Sequence, residues 1–326
     1  MADTAKTQSQ KTRQQCWAER LIESHRANTH LPPEKPKEFP IRVVCISDTR
    51  GTCDRYPEVP DGDLLIHAGN LTELGSFEAI QEEIHWLDEL PHKYKVVVAG
   101  NLDRFLDDEY LKDHPDPKYR HAKTKADMDW SKVYYLEDGK PITLRFSKPG
   151  LGHDSKDQQG SSRTLRIFGS PWTPNRGGKF AFQYDPSDAE FLKTKFSSVE
   201  AGQVDIVVTH GPPKYHQDGT GDDHAGCPHL AAEIGRVRPR LHVFGHIPTG
   251  YGCERILYDK PQSEFEKMKA AGSAEWRDVL RLAKSAVKPS VASLLGLSRG
   301  DDTFFVNAAV SDGPKSDLRE PIVVEL

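Results

Sequence analysis

The residues of this chain that can do chemistry stand where short apolar runs end. Asp48 and Arg50 follow a run closing at Ile46, and Asn70 follows one closing at His67. Asn101, Leu102 and Asp103 follow a run closing at Ala99; His210 follows Thr209, and His246 and Pro248 follow Phe244. A carboxylate and a guanidinium two residues apart form a structural ion pair, or grip an anionic or enolic substrate. Two imidazoles move protons, ligate a metal, or remain as strand-end residues with satisfied hydrogen bonds. Asp103 and Arg104 read as an ordinary solvated charge pair. The stretch 214–229 holds His216, Asp218, Asp222, Asp223, His224, Cys227 and His229 in a spacing that matches no metal pattern, so it reads as a flexible loop bordering a cleft.

These groups need elements that bring them to one edge. Residues 41–46, 63–67 and 95–99 are short, largely apolar runs of the kind found in strands buried on both faces. Between the last two, Ile80, Ile84 and Leu87 follow a helical period over 77–90. Strand, helix, strand predicts a parallel layered sheet, continued by 164–168, 205–208, 241–244 and 304–308. In open α/β sheets ligands bind at the carboxyl ends of strands, where every group named above lies. Residues 148–162, rich in Gly, Ser, Asp and Lys, read as a surface insertion. Residues 260–288 read as mostly helical, ended by Pro289.

The chain has 326 residues and a net charge of −5, so no basic surplus suits a nucleic-acid backbone. Five cysteines (16, 45, 53, 227 and 253) without a Cys-x-x-Cys arrangement indicate neither a disulfide framework nor a zinc ribbon. Cys45, inside an apolar run, reads as a buried and inert thiol. Residues 1–15 are polar, lack the apolar segment of a signal peptide, and read as disordered. Trp17, Leu21 and Ile22 mark a short helix, and the Pro-rich stretch 31–36 reads as a tether, so 1–38 stand apart from one domain over 39–326. No run of about 18 apolar residues occurs, so no membrane partner is expected. A cytoplasmic location is the expectation.

Five stretches in order, Ser47-Asp48-Thr49-Arg50, His67-Ala68-Gly69-Asn70, Gly100-Asn101-Leu102-Asp103, Thr209-His210-Gly211-Pro212-Pro213 and Gly245-His246-Ile247-Pro248, resemble the signature of the calcineurin-like metallophosphoesterases. With Gly169-Ser170-Pro171-Trp172-Thr173-Pro174, they are most similar to the brain-expressed metallophosphoesterase-domain group. The resemblance implies an α/β fold, a four-layer α/β/β/α sandwich. It also implies two divalent metals that hold a phosphate and the attacking hydroxide. The first metal site maps to Asp48, Arg50, Asn70 and Pro248, where the family has Asp, His, Asp and His. Proline offers no donor, arginine stays protonated, and Asn70 is neutral where the family has an anionic bridge. The second maps to Asn70, Asn101, His210 and His246, which leaves one weakly bound divalent metal (Mn or Zn) as the alternative to none. Leu102 replaces the His that assists the leaving group, a change that typically costs about 10²–10⁴-fold in rate.

The resemblance thus implies a retained fold with a degenerate centre. Asp48, Arg50, His210 and His246 are the candidate catalytic residues for metal-free acid/base chemistry (cyclisation, elimination or isomerisation) on a small organic molecule. Asn70, Asn101, Leu102, Asp103, Trp172 and Pro248 are expected to line the cleft. A non-catalytic pseudophosphatase and a single-metal phosphodiesterase are the alternatives.

Overall fold

The computed structural model describes residues 12–28, 39–52, 56, 58–115, 123–147, 162–219, 224–271, 273–287, 302–313 and 316–326. The expectations for 1–11, for 31–36, for 148–161 and for Pro289 lie outside these. Strands β1 (Arg42–Ile46), β2 (Leu64–His67), β3 (Tyr94–Val97) and β4 (Val133–Tyr135) run parallel as neighbours, and β13 (Ile322–Glu325) joins the β1 edge antiparallel. The second sheet holds β5 (Ile142–Ser147), β6 (Ser162–Ser170), β9 (Ile206–Thr209), β10 (Leu241–Phe244), β11 (Gly252–Leu257) and β12 (Asp302–Asn307). Its order is β11-β12-β10-β9-β6-β5, with β6, β9, β10 and β12 parallel.

Successive side chains of a strand point to opposite faces, and here both faces are apolar. Val43, Cys45, Leu64, Ile66 and Val96 join one buried cluster with Leu165, Ile167, Ile206, Val208, Leu241 and Val243 of the other sheet. The alternate residues Val44, Ile46, Leu65 and Val97 join Phe77, Ile80, Ile84 and Leu87 of α2 (Phe77–Glu89). Ser76 caps that helix by accepting from the Ala79 N–H at 3.3 Å. Helices α4 (Ala189–Lys195) and α5 (Pro228–Val237) pack on each other and complete the four layers. The expected mixed α/β sandwich is the fold.

The chain divides into two compact units. One comprises the described residues of 1–35 and 257–301, the other those of 36–256 and 302–326. In the first, α1 (Arg13–Asn28), α6 (Lys260–Ala270) and α7 (Trp276–Val287) surround Ala18, Ile22, Phe265 and Leu282. His25 Nε2 meets Asp259 Oδ2 at 2.6 Å and Arg26 Nη2 donates to Gln262 Oε1 at 2.9 Å. The N-terminal helix is therefore grouped with the helices of 260–288, which the sequence places in the main domain. All three residues that mark this helix in the sequence lie in α1; Ala18 and Ile22, four residues apart, carry its buried stripe, and Trp17 is 51% exposed. The described residues of 260–288 form two helices rather than one, α6 ending at Ala270 and α7 starting at Trp276.

Candidate active site

The turns that follow the strands put several side chains into conformations that L-residues rarely adopt. Asp48, Arg50, Asn70 and His246 all have positive φ, of 59°, 52°, 55° and 67°. Such backbone costs about 1–3 kcal/mol per residue and clusters at functional sites. Glycines let the turns close on one another. A Cβ on Gly69 would lie 2.6 Å from His210 Nδ1, and one on Gly100 would lie 2.8 Å from His210 Cε1. One on Gly245 would run into the Ser47 hydroxyl and the Asp48 carboxylate.

Asp48 is fully buried. Its Oδ2 accepts from Ser47 Oγ at 2.8 Å and from the His246 backbone N–H at 2.9 Å, and its Oδ1 accepts from Asn70 Nδ2 at 2.8 Å. Asn70 can be oriented unambiguously, because the Leu102 backbone N–H donates to its Oδ1 at 2.9 Å. The NH₂ end must then face Asp48, and it also reaches Asn101 Oδ1 at 3.3 Å. His210 Nδ1 meets the Ala68 carbonyl at 2.8 Å, and its Nε2 lies 3.0 Å from Asn101 Oδ1. His246 Nδ1 lies 3.0 Å from the same oxygen and 3.2 Å from His210 Nε2, so Asn70, His210 and His246 all converge on Asn101 Oδ1. The two rings meet edge to face at 4.9 Å between centroids. With Nδ1 as donor, His246 Nε2 keeps a lone pair.

Arg50 approaches the same Asp48 oxygen that Asn70 holds. Its Nη2 is 4.0 Å from Asp48 Oδ1, its Nη1 donates to Glu73 Oε2 at 3.4 Å, and its buried Nε has no partner among the described residues. Burial alone would raise the Asp48 carboxyl, but His210, the His246 N–H, Arg50 and the Asn70 amide together hold it below the usual carboxylate range. Burial lowers His210, against the pull of Asp48. His246 falls to about 3, through burial first and His210 second. Both rings are therefore neutral at pH 7.

The expected cleft residues separate into groups. Leu102, 8% exposed, and Pro248, which opens a 3₁₀ turn after His246, border the network. Asp103 is not a solvated partner of Arg104. It is fully buried and accepts from the backbone N–H groups of Gly100, Leu71 and Thr72 at 2.7, 3.2 and 3.3 Å, stitching two motif turns together. Desolvation raises it to about 7 against those donors. Trp172 packs edge-on against Phe182 and Phe191 and donates to Asp138 Oδ2 at 2.7 Å, which gives it packing contacts. The loop at 214–229 is pinned where it is described: buried Asp218 accepts from the N–H groups of Tyr215 and Gly226 at 3.0 and 2.9 Å and pairs with His224 at 2.8 Å.

Sequence reasoning missed Ser47, Glu73 and the strut under Asp48. In that strut, Gly69 N–H donates to His67 Nδ1 at 3.2 Å, so Nε2–H donates to Thr49 Oγ1 at 2.9 Å. Ser47 adjoins Asp48 and was within reach of inspection; Glu73 sits in a loop without periodicity and carries no sequence signal.

The profile of the calcineurin-like phosphoesterase family matches residues 29–250, and the chain belongs to that family. It is similar to a probable rhamnogalacturonate lyase C of Emericella nidulans, with 40% identity over 290 residues, 88% of this chain and 24% of that protein. It is also similar to human metallophosphoesterase domain-containing protein 1, with 35% identity over 219 residues, 65% of this chain and 61% of that protein. A UPF0046 protein of Caenorhabditis elegans is 32% identical over 246 residues, 70% of this chain and 56% of its own. The chain thus spans about a quarter of the first relative and under two thirds of the other two.

The residues present do not fit the metal pair that the fold family implies. At the first position a guanidinium faces Asp48, and at the bridging position Asn70 presents N–H groups where lone pairs are needed. The Asn101 oxygen of the second position already receives hydrogens from Asn70 and His246. Among the described residues no three His, Cys, Asp or Glu side chains are grouped to hold a metal.

Proposed function

We propose that the cleft works without a metal, as an acid/base site for a small organic substrate. The observation that carries this reading is the double donation by Asn70, to Asp48 Oδ1 at 2.8 Å and to Asn101 Oδ1 at 3.3 Å. An aspartate there would point lone pairs at two other oxygens and need cations between them. The amide replaces those cations with hydrogens, and the Arg50 guanidinium supplies the remaining positive charge.

In this reading His246 Nε2 takes a proton from the substrate. The ring then becomes a cation whose Nδ1–H bonds to Asn101 Oδ1 and His210 Nε2 strengthen, while Asp48 stabilises the new charge through space. Returning the proton to another atom gives isomerisation; returning it to a leaving group gives elimination. The Emericella relative is named as a lyase, which accords with elimination, although the name does not tie that activity to the matched quarter. In the empty cleft His246 is a weak base, and a nearby substrate anion raises it toward the working pH. That low resting basicity also favours a second reading, a binding protein that releases its ligand unchanged.

The test is turnover in excess EDTA of a panel of hydroxy acids, oxo acids and uronates, followed by proton NMR in D₂O. Exchange or elimination that disappears in His246→Ala and falls at least about 10²-fold is expected. Ligand binding without exchange supports the second reading, and phosphodiester hydrolysis that EDTA abolishes sinks both.

A further inference from the structure

Residues 175–180 form a loop sprung between two anchors on the site. On its entry side, β7 (Thr173–Pro174) lies against the turn after His210, where a Cβ on Gly211 would meet Thr173 Cγ2 at 3.1 Å. On its exit side, the Ala181 N–H donates to the Asn101 carbonyl at 3.1 Å, and β8 (Gln183–Tyr184) pairs with β7. The segment between these anchors is held next to the turns that carry Asn101 and His210. Asn175, Arg176, Gly177, Gly178 and Lys179 are all exposed, and the two glycines have φ of 98° and 97°. The loop carries two cations and no acid, in a protein whose net charge is −5. The only polar contact of the Arg176 guanidinium among the described residues is a 3.4 Å bond to the Gly226 carbonyl, and its charge is felt at His246. Arg104, which follows buried Asp103, lies 6.0 Å from the ring of Phe180 at the end of the same loop.

Resting on the acid/base reading above, we propose that Arg176, assisted by Lys179, is a specificity-determining anchor for the carboxylate of an organic-acid substrate. The charges are layered in a way that suits such a molecule. At the floor Asp48 stays anionic, Arg50 is shared between Asp48 and Glu73, the imidazoles are neutral and Leu102 is apolar. A compact phosphate placed there would meet Asp48 without a dication to offset the repulsion. An organic acid divides the roles, with carboxylate charge spread toward the Arg176 fork and Lys179 at the rim and its carbon skeleton past Leu102 toward His246.

The experiment is calorimetric titration in EDTA at low ionic strength with three probes: citrate, its uncharged trimethyl ester and inorganic phosphate. Citrate binding is expected, with phosphate at least about tenfold weaker and the ester not bound, the difference a charge-assisted hydrogen bond makes. Arg176→Gln weakens citrate about tenfold and Lys179→Gln less. Lys193→Gln, which breaks an exposed pair with Glu190 on α4, leaves citrate binding unchanged. Equal citrate affinity in wild type and Arg176→Gln overturns the anchor, as does absence of citrate binding or phosphate binding as tight as citrate. Arg176-dependent binding without turnover keeps the anchor and removes the catalytic reading; turnover indifferent to Arg176→Gln does the reverse.

Discussion

Asn70 decides how the buried charges of the site are balanced. It is the hinge between a metal bridge and a hydrogen-bonded strut, because it gives its hydrogens to Asp48 and Asn101 and its oxygen to the Leu102 N–H. Asn70→Asp leaves two buried carboxylates side by side and should cost about 3 kcal/mol in EDTA, read by urea unfolding. The same variant should recover part of that loss with added manganese, whereas the wild type should not respond. His246 gives a pH prediction. Its pKa is about 3 in the folded protein and about 6.5 when unfolded, so the unfolded chain takes up the extra proton as pH falls below about 6.5. Stability is lost in that direction, by about 2 kcal/mol between pH 6.5 and 5. The gap between wild type and His246→Asn should narrow by that amount, and a gap constant with pH would contradict the part-buried, neutral ring. Activity should show a matching signature: the acid limb of kcat lies at higher pH than that of kcat/KM, because bound substrate raises His246.

At the scale of elements, most of the site was legible because apolar runs mark strand ends in sequence and in space alike. The expected runs 41–46, 63–67 and 241–244 agree with β1, β2 and β10 to within one residue. Strands β4, β5 and β13 were not legible. Tyr134, Thr143 and Arg145 alternate exposed positions with buried ones, which leaves short edge strands with little apolar signal. Asp103 was misread for a related reason: a charged residue beside Arg104 looks solvated until the turn folds and three backbone N–H groups close on it. The roles of Gly69, Gly100 and Gly245 likewise depend on turns more than a hundred residues apart. Gly245→Ala should force Ser47 and Asp48 apart, cost about 1–3 kcal/mol and abolish any chemistry that needs Asp48; unchanged stability by thermal melting would contradict the close approach.

Over the whole molecule, the grouping of α1 with α6 and α7 could not be read from sequence, since it joins segments more than two hundred residues apart through a small buried cluster of Ala18, Ile22, Phe265 and Leu282. Ile22→Ala removes one of them and should lower hydrogen-exchange protection across α1, α6 and α7, with about 2–5 kcal/mol lost locally. Amides of β1, β2, β9 and β10 should be unaffected. The larger unit keeps a phosphoesterase-family fold, and in the proposed acid/base reading Arg50, Asn70, Leu102 and Pro248 set chemistry that needs no metal pair. Fold and chemistry have separable determinants here: the apolar strands set the first, and a few turn residues set the second.

The most direct test of the central claim is metal content by elemental analysis, on protein purified without added metal and again after incubation with manganese and zinc followed by desalting. The account predicts well under one equivalent in both samples. One or two equivalents per chain, lost in His210→Ala or His246→Ala, would contradict it and return the cleft to metal-dependent hydrolysis.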